Sequence, residues 1–288
     1  MKKIVKYLLF TSIPVLVAAV LIWKITARPA IGPGFSVMTF NVGDRIKDPA
    51  QLSSTEEITR LIQRIGAPDI LLIQETPWKV KMEDLARLLD FAHHVSGRSD
   101  LLSSRSNSAI FSRYPLHNPH SIAFDARPGR SMALCAETFV TGKKILLCSV
   151  QLSTLRFELS KKRKNGEGKI TGSLRIVGNE IFRETAHSRS VDKMVAWVNA
   201  QVVDAAVLGG DFNTFIFSKP IRTISNYFND SLWPSCDYFR GTYRKFPFPI
   251  KPRIDFLFHN GNIVCADAVI VRQTVGDHFP VRAEFTFP

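Results

Sequence analysis

Four short segments bring polar residues to the ends of apolar, strand-like runs. In chain order they are Phe40-Asn41-Val42, Ile73-Gln74-Glu75-Thr76, Gly209-Gly210-Asp211-Phe212-Asn213-Thr214 and Gly276-Asp277-His278-Phe279. Together they would deliver amides, three carboxylates and a histidine to one edge of a sheet, a set suited to a hard divalent cation and a phosphoryl group. A carboxylate beside a core strand is costly unless it is paired or bound to metal. Glu75, Asp211 and Asp277 are therefore candidate metal ligands, and oxygen ligands of this kind select Mg²⁺, Mn²⁺ or Ca²⁺ over zinc. Asn41 and Asn213 can orient a ligand or donate to a phosphate oxygen. His278 is the candidate for contact with the scissile phosphate. Asp255, in Arg253-Ile254-Asp255-Phe256, would fix its tautomer, as in a catalytic triad. Each motif alone has an ordinary reading: Gly-Asp-Phe-Asn is often an Asx turn, and Gln-Glu-Thr is often just a strand end. Their conjunction points to chemistry.

The elements that must carry these residues are legible in outline. Phe35 to Phe40 alternates like a strand, and Asp69 to Gln74 reads as a buried strand ending on Glu75. Between them Ser54-Thr55-Glu56-Glu57 is a capping box, followed by Ile58, Leu61, Ile62 and Ile65 at helical spacing and Gly66 as C-terminal cap. A short helix is predicted over Lys81 to Leu89. Strands are predicted over Ser108–Ser112, Ser131–Val140, Lys144–Gln151, Ala205–Gly209, Arg253–His259, Ile263–Arg272 and Val281–Phe287. Val191, Met194, Val195 and Val198 mark another helix. The stretch from Leu155 to His187 reads as basic and irregular. Many short strands and few helices predict packed sheets with helices outside, rather than a doubly wound parallel sheet.

Composition bounds the rest. The chain has 288 residues, 45% of them hydrophobic, enough for one large domain with a full core. Residues 1–28 stand apart: Lys2, Lys3 and Lys6 precede an uncharged run from Tyr7 to Trp23, and Lys24 and Arg28 follow it. This reads as a cytoplasmic basic tip and a single membrane anchor, with the catalytic domain outside the cytoplasm; a cleaved signal peptide, giving a secreted protein, is the rival. Residues 29–34 are a linker and 35–288 the domain. The net charge is +13, of which residues 1–28, free of acids, hold five, so +8 remains on the rest. Arg156 to Lys169 alone carries six basic and two acidic residues. A basic domain favours polyanions or anionic lipid surfaces, whereas a solvated loop is the bland reading of that run. Cys135, Cys148, Cys236 and Cys265 are too few for a disulfide scaffold and match no zinc spacing. They read as small buried residues, with room for one disulfide; Cys135 and Cys148 lie on runs that could pair as a hairpin around Thr141-Gly142.

The order Asn, Glu, Asp-x-Asn, Asp-His, with Asn107-Ser108-Ala109-Ile110-Phe111-Ser112, Gly241-Thr242-Tyr243 and Arg253-Ile254-Asp255-Phe256 between, resembles the endonuclease/exonuclease/phosphatase superfamily over about residues 35–287. The resemblance implies an α/β (α+β) fold, a four-layered sandwich of two packed mixed or antiparallel sheets flanked by helices. It also implies Mg²⁺- or Mn²⁺-dependent phosphoester hydrolysis by an activated water. Glu75 would then hold the metal with Asn41 assisting, Asp211 and Asn213 would position water and phosphate, and Asp277 would support metal or base. The Asp255–His278 pair would stabilise the pentavalent phosphorus. One departure matters: many family members have histidine where this chain has Gln151, and glutamine can donate a hydrogen bond to phosphate but cannot act as a general acid. Asn107, Arg130 and the run Lys161, Lys162, Arg163, Lys164 are candidate substrate contacts. The resulting expectation is a membrane-anchored phosphodiesterase acting on nucleic acid, with no protein partner implied. A phospholipid or sphingomyelin head-group hydrolase and a catalytically silent membrane-surface module are the alternatives.

Overall fold

The computed structural model describes residues 34–43, 54–77, 80–98, 106–124, 131–155, 169–246, 249 and 251–288. The first half runs β1 (Gly34–Asn41), α1 (Thr55–Ile65), β2 (Ile70–Pro77), α2 (Met82–Leu88), β3 (His93–Arg98), β4 (Ser106–Ser112), β5 (Leu116–Ala123), β6 (Met132–Val140) and β7 (Lys143–Gln151). The second runs α3 (Lys169–Phe182), α4 (Ala186–Asn199), β8 (Ala205–Asp211), α5 (Lys219–Ser225), β9 (Asn229–Asp230), β10 (Asp255–Gly261), β11 (Val264–Ile270) and β12 (Val281–Thr286). The strands form two six-stranded sheets, ordered β11-β12-β1-β2-β4-β3 and β5-β6-β7-β8-β10-β9.

The sheets face each other across a core that includes Phe35, Val37, Leu72 and Phe285 from the first and Leu134, Leu147, Val207 and Leu257 from the second. The opposite face of β1 and β2 buries Met38, Phe40, Leu71 and Ile73 against Ile58, Leu61 and Ile62 of α1 and Leu85 of α2. The outer face of the second sheet packs Cys148, Leu208 and Phe256 against Val191, Met194 and Val198 of α4 and Ile221 and Ile224 of α5. The order of layers is helix, sheet, sheet, helix, as expected. Central strands covered on both faces must be apolar on both, which is why β2 and β8 read as near-continuous apolar runs. Each fully buried aliphatic or aromatic side chain contributes about 1.5–3 kcal/mol.

Each sheet contains one parallel pair, and these two pairs position the site. β1 runs parallel to β2 with Asn41 opposite Gln74, and β7 runs parallel to β8 with Gln151 opposite Asp211. Both pairs end at the same rim of the sandwich. Antiparallel β10 starts there, placing Asp255 opposite Asp211. Gly209 and Gly210 make the close approaches possible. A Cβ on Gly210 would lie 1.9 Å from the Val150 carbonyl oxygen, and one on Gly209 would meet Leu72 of the facing sheet at 2.7 Å.

The α1 capping box forms as predicted, with Ser54 and Glu57 exchanging hydrogen bonds with each other's backbone and Gly66 as C-cap at φ 85°. Other expectations change. Part of the stretch expected to be irregular, Lys169–Phe182, is helix α3, and β3, β5, α5 and β9 were not foreseen. The cysteines are not four equivalent buried residues: Cys135 and Cys148 are joined by a disulfide across the β6–β7 hairpin, Cys236 is exposed and Cys265 partly so. The anchor or signal segment, Arg130 and the Lys161–Lys164 run lie outside the described residues. Among the described residues no helix is long and apolar enough to cross a membrane.

Candidate active site

Asp211, at the end of β8, is the hub of the site. Its buried carboxylate receives four N–H donors: Asn41 Nδ2 at 2.9 Å, Gln151 Nε2 at 3.2 Å, and both Nδ2 and the backbone N of Asn213 at 2.9 Å. Asn41 comes from the first sheet and the others from the second, so the carboxylate joins the two sheets at their common rim. Asn41 is itself held by the Gly43 N–H, which donates to its Oδ1 at 2.8 Å. Asn213 is braced by the Leu152 carbonyl, which accepts from its Nδ2 at 2.9 Å.

Two of these residues have left-handed backbone without being glycine: Glu75 at φ 50° and Asn213 at φ 49°. Such conformations are uncommon outside glycine and gather at functional sites. For Glu75 the cause is local. The β2–β4 register shifts between Ile73 and Thr76, and an irregularity of this kind re-aims a side chain. Glu75 Oε1 thereby comes 3.1 Å from Gln151 Nε2. The Gln151 amide donates to both Glu75 and Asp211, bridging two carboxylates.

His278 lies on the other side of Asp211. Its Nδ1 is 2.9 and 3.1 Å from the two oxygens of Asp255, and its Nε2 is 4.0 Å from Asp211 Oδ2 and 3.9 Å from Asp277 Oδ1. Burial favours the neutral ring, but Asp255 and Asp211, with Asp277 adding, outweigh it and push the pKa up to about 10. Asp255 therefore both orients the ring and favours its protonated form, with Nε2 turned toward Asp211 and Asp277. Asp211 is moved chiefly by its own burial. The His278 cation pulls it back while Asp255 and Glu75 push it further, leaving it at about 7.

The donor set fits a hard cation. Among the described residues, Glu75, Asp211, Asp255 and Asp277 lie at one rim with His278 and with Lys245, whose Nζ is 4.0 Å from Asp277 Oδ2. Burial raises Asp211 first, with Asp255 and Glu75 adding to it, and a divalent ion beside the carboxylate would favour its charged form. Asp211, Asp255 and His278 bring ligand atoms within 4.8 Å of one another. Asp255 also faces His278 Nδ1 at 2.9 Å, and Glu75 and Asp277 fall outside this group of three. The backbone of Asn107 pairs opposite Thr76.

This arrangement at the end of two packed sheets is matched by sequence. The family model for the endonuclease/exonuclease/phosphatase family covers residues 38–278. The chain belongs to that family. No curated protein matches it in sequence. An endonuclease/exonuclease/phosphatase from Beutenbergia cavernae superposes with a TM-score of 0.66 at 18% identity, covering 88% of this chain and 72% of that one. One from Bacteroides vulgatus does so at 0.66 and 17%, covering 88% and 99%. Truncated Caenorhabditis elegans TDP2 gives 0.63 at 16%, covering 88% and 98%. At these identities the likeness is one of fold.

Within the family frame the structure adds supports that motifs alone did not reveal. Thr242 Oγ1 accepts from the N–H groups of Ile254 and Asp255, each at 3.0 Å, fixing the start of β10. Gly241-Thr242-Tyr243 was visible as a segment, but without a role. Beneath the site, Gln74 Nε2 donates to Thr39 Oγ1 at 3.1 Å and to Ser149 Oγ at 3.0 Å, tying the two sheets together. Outside it, buried Glu180 of α3 accepts from Thr214 Oγ1 at 3.1 Å and lies 3.2 Å from His187 Nδ1, whose Nε2 is 2.6 Å from the Ser153 carbonyl. Burial pushes the Glu180 carboxyl up, but His187 and the Thr185 and Thr214 hydroxyls hold it below the usual range. The Glu180–His187 pair thus braces the segments leaving β7 and β8. Glu180→Ala should cost about 3 kcal/mol by orphaning two buried partners, read as a lowered melting temperature. Glu180→Gln, which keeps an acceptor for Thr214, should recover part of it; equal stability of all three proteins would refute the brace.

Proposed function

We propose that the protein is a divalent-metal-dependent phosphodiesterase whose substrate is nucleic acid. The observation that carries this reading is a buried carboxylate, Asp211, held by four donors and 4.0 Å from Nε2 of His278, whose Nδ1 is held by Asp255. A base and a cation facing each other in a largely buried site suit attack of water on phosphorus. Asp211 would orient the water and take its proton. Nε2–H of His278 would face the non-bridging oxygens, where negative charge grows in the transition state. Asn41, Gln151 and Asn213 hold Asp211 at one angle, so little reorganisation is needed as the reaction proceeds. Glu75 and Asp277, with Asp211, would hold Mg²⁺ or Mn²⁺, which supplies Lewis acidity toward a phosphoryl oxygen. The substrate class follows from charge: +8 on residues 29–288 favours a polyanion.

A panel decides it. Full-length protein is given single-stranded DNA, RNA, sphingomyelin vesicles and bis(p-nitrophenyl) phosphate, with Mg²⁺, with Mn²⁺ and with excess EDTA. Nucleic acid should be cut in metal and left intact in EDTA. Faster turnover of lipid would overturn the substrate, full activity in EDTA the metal, and no turnover of any substrate would make the domain a binding module.

A further inference from the structure

Beside the site the surface carries an apolar patch with an organisation of its own. Phe217, Trp233 and Phe239 are 60%, 63% and 67% exposed, in a fold that buries most of its other phenylalanines. They are not scattered. The Phe217 and Phe239 rings lie 6.4 Å apart, Phe239 packs edge-on to Tyr238 at 4.9 Å, and Tyr238 packs on Trp233 at 5.0 Å. The row is held from beneath. The Arg253 guanidinium lies 4.6 Å from the Tyr238 ring centroid and is neutralised by Asp230. Arg222 donates to the Phe217 and Ile181 carbonyls, both at 2.6 Å, pinning the loop that presents Phe217. Contiguous exposed aromatic surface on a rigid support marks a binding surface more often than a solvent face.

Two short segments connect this row to the catalytic residues. Phe217 follows Asn213 by four residues. Phe239 precedes by four residues Tyr243, which bridges to His278 with ring centroids 5.0 Å apart. Four residues span at most about 14 Å. The two segments leave the site separately and meet again at the Phe217–Phe239 pair. Charge points the same way. Residues 213–253 contain seven lysines and arginines against Asp230 and Asp237; those acids pair with buried Arg253 and with Arg240, and Lys219 pairs with Glu184. Lys245, two-thirds exposed, stands next to Asp277 at the mouth of the site.

Aromatic faces at intervals, a cationic margin and a phosphoryl-transfer site within a few nucleotides' reach are the elements of single-strand recognition. Bases stack on rings at about 1–3 kcal/mol each, and the cations follow the backbone. A duplex keeps its bases stacked inward and has none to offer such a row. We propose that Phe217, Phe239 and Trp233 form a stacking ledge for the unpaired bases of a nucleic acid strand whose phosphate enters the Asp211–His278 site. The proposal rests on the nucleic-acid reading above and narrows it to unpaired strand.

The test uses full-length protein and fluorescein-labelled DNA in EDTA, so that binding is read without cleavage. Phe217→Ser/Phe239→Ser should weaken binding of a single-stranded oligonucleotide by about tenfold or more and of a blunt duplex less than twofold. Trp233→Ser should add to the loss. All three side chains are exposed, so the fold should survive, and turnover of bis(p-nitrophenyl) phosphate in Mg²⁺ should be unchanged. Unchanged single-strand affinity, or equal losses for single strand and duplex, would overturn the ledge. So would a loss confined to phosphatidylglycerol vesicles, which would make the row a membrane-inserting edge. Because binding is measured without turnover, a protein that cuts no nucleic acid would sink the proposed function while leaving the ledge to be judged on its own result.

Discussion

Asp211→Ala and His278→Ala should each lower kcat on a nucleic acid substrate by about a hundredfold or more, the scale of losing a positioned base or a preorganised charge. The two losses should differ in their pH profiles. In the proposed mechanism Asp211 acts ionised and His278 protonated. The metal-free site has Asp211 at about 7 and His278 at about 10. Activity should therefore rise as Asp211 loses its proton and fall as pH approaches 10 and His278 loses its own. A bound divalent cation favours the Asp211 carboxylate, so in saturating Mg²⁺ the acid limb should lie below 7. His278→Gln should abolish the alkaline limb and keep the acid one. Asp211→Asn is the isosteric control for folding, because Asp211→Ala leaves the donors of Asn41, Gln151 and Asn213 without their acceptor. Wild-type turnover in either Ala variant would remove the residue from the chemistry.

Glu75→Gln should be nearly as damaging, by a different route. The substitution keeps the size of the side chain and removes the charge, so it should raise the Mg²⁺ concentration needed for half-maximal activity and lower kcat/KM by about a hundredfold, close to 2.7 kcal/mol. Binding gives a second readout. A ligand at a hundred times its Kd stabilises the fold by about 2.7 kcal/mol, so Mg²⁺ should raise the melting temperature of the wild type and fail to do so for Glu75→Gln. A variant that still responds fully to Mg²⁺ would move the metal away from Glu75.

Several of the candidate site residues were visible in sequence because they follow runs too apolar to tolerate a carboxylate without a partner. Asp211 after Val207-Leu208-Gly209-Gly210 and Glu75 after Ile70-Leu71-Leu72-Ile73 are the clearest cases. What those residues do to one another was not visible. The Asn41–Asp211 bond spans 170 residues and the Gln151–Glu75 bond 76, and no local spacing encodes either. The missed elements have local reasons. Gly172 and Gly178 dilute the helical signal of α3. β5 contains Pro119 and a register shift, which suit an edge strand and break the alternation that announces one. Buried Glu180 was hidden because its partners, Thr214 and His187, lie on two other segments.

The site is stitched across the seam between the sheets. Asn41 crosses to Asp211, Glu75 to Gln151, and Gln74 to Ser149. Catalytic competence is therefore a gauge of how the two halves of the sandwich are seated, finer than any measure of secondary structure. A sub-ångström slip would lengthen several of these contacts together while leaving every strand hydrogen bond intact. Inactivation by mild denaturant should for that reason run ahead of the loss of far-ultraviolet circular dichroism, since a compact state with loosened packing keeps its strands but not its seam. The same geometry limits adaptation: loops at the rim are free to change with the substrate, whereas Gly209 and the buried amides are held by both sheets at once.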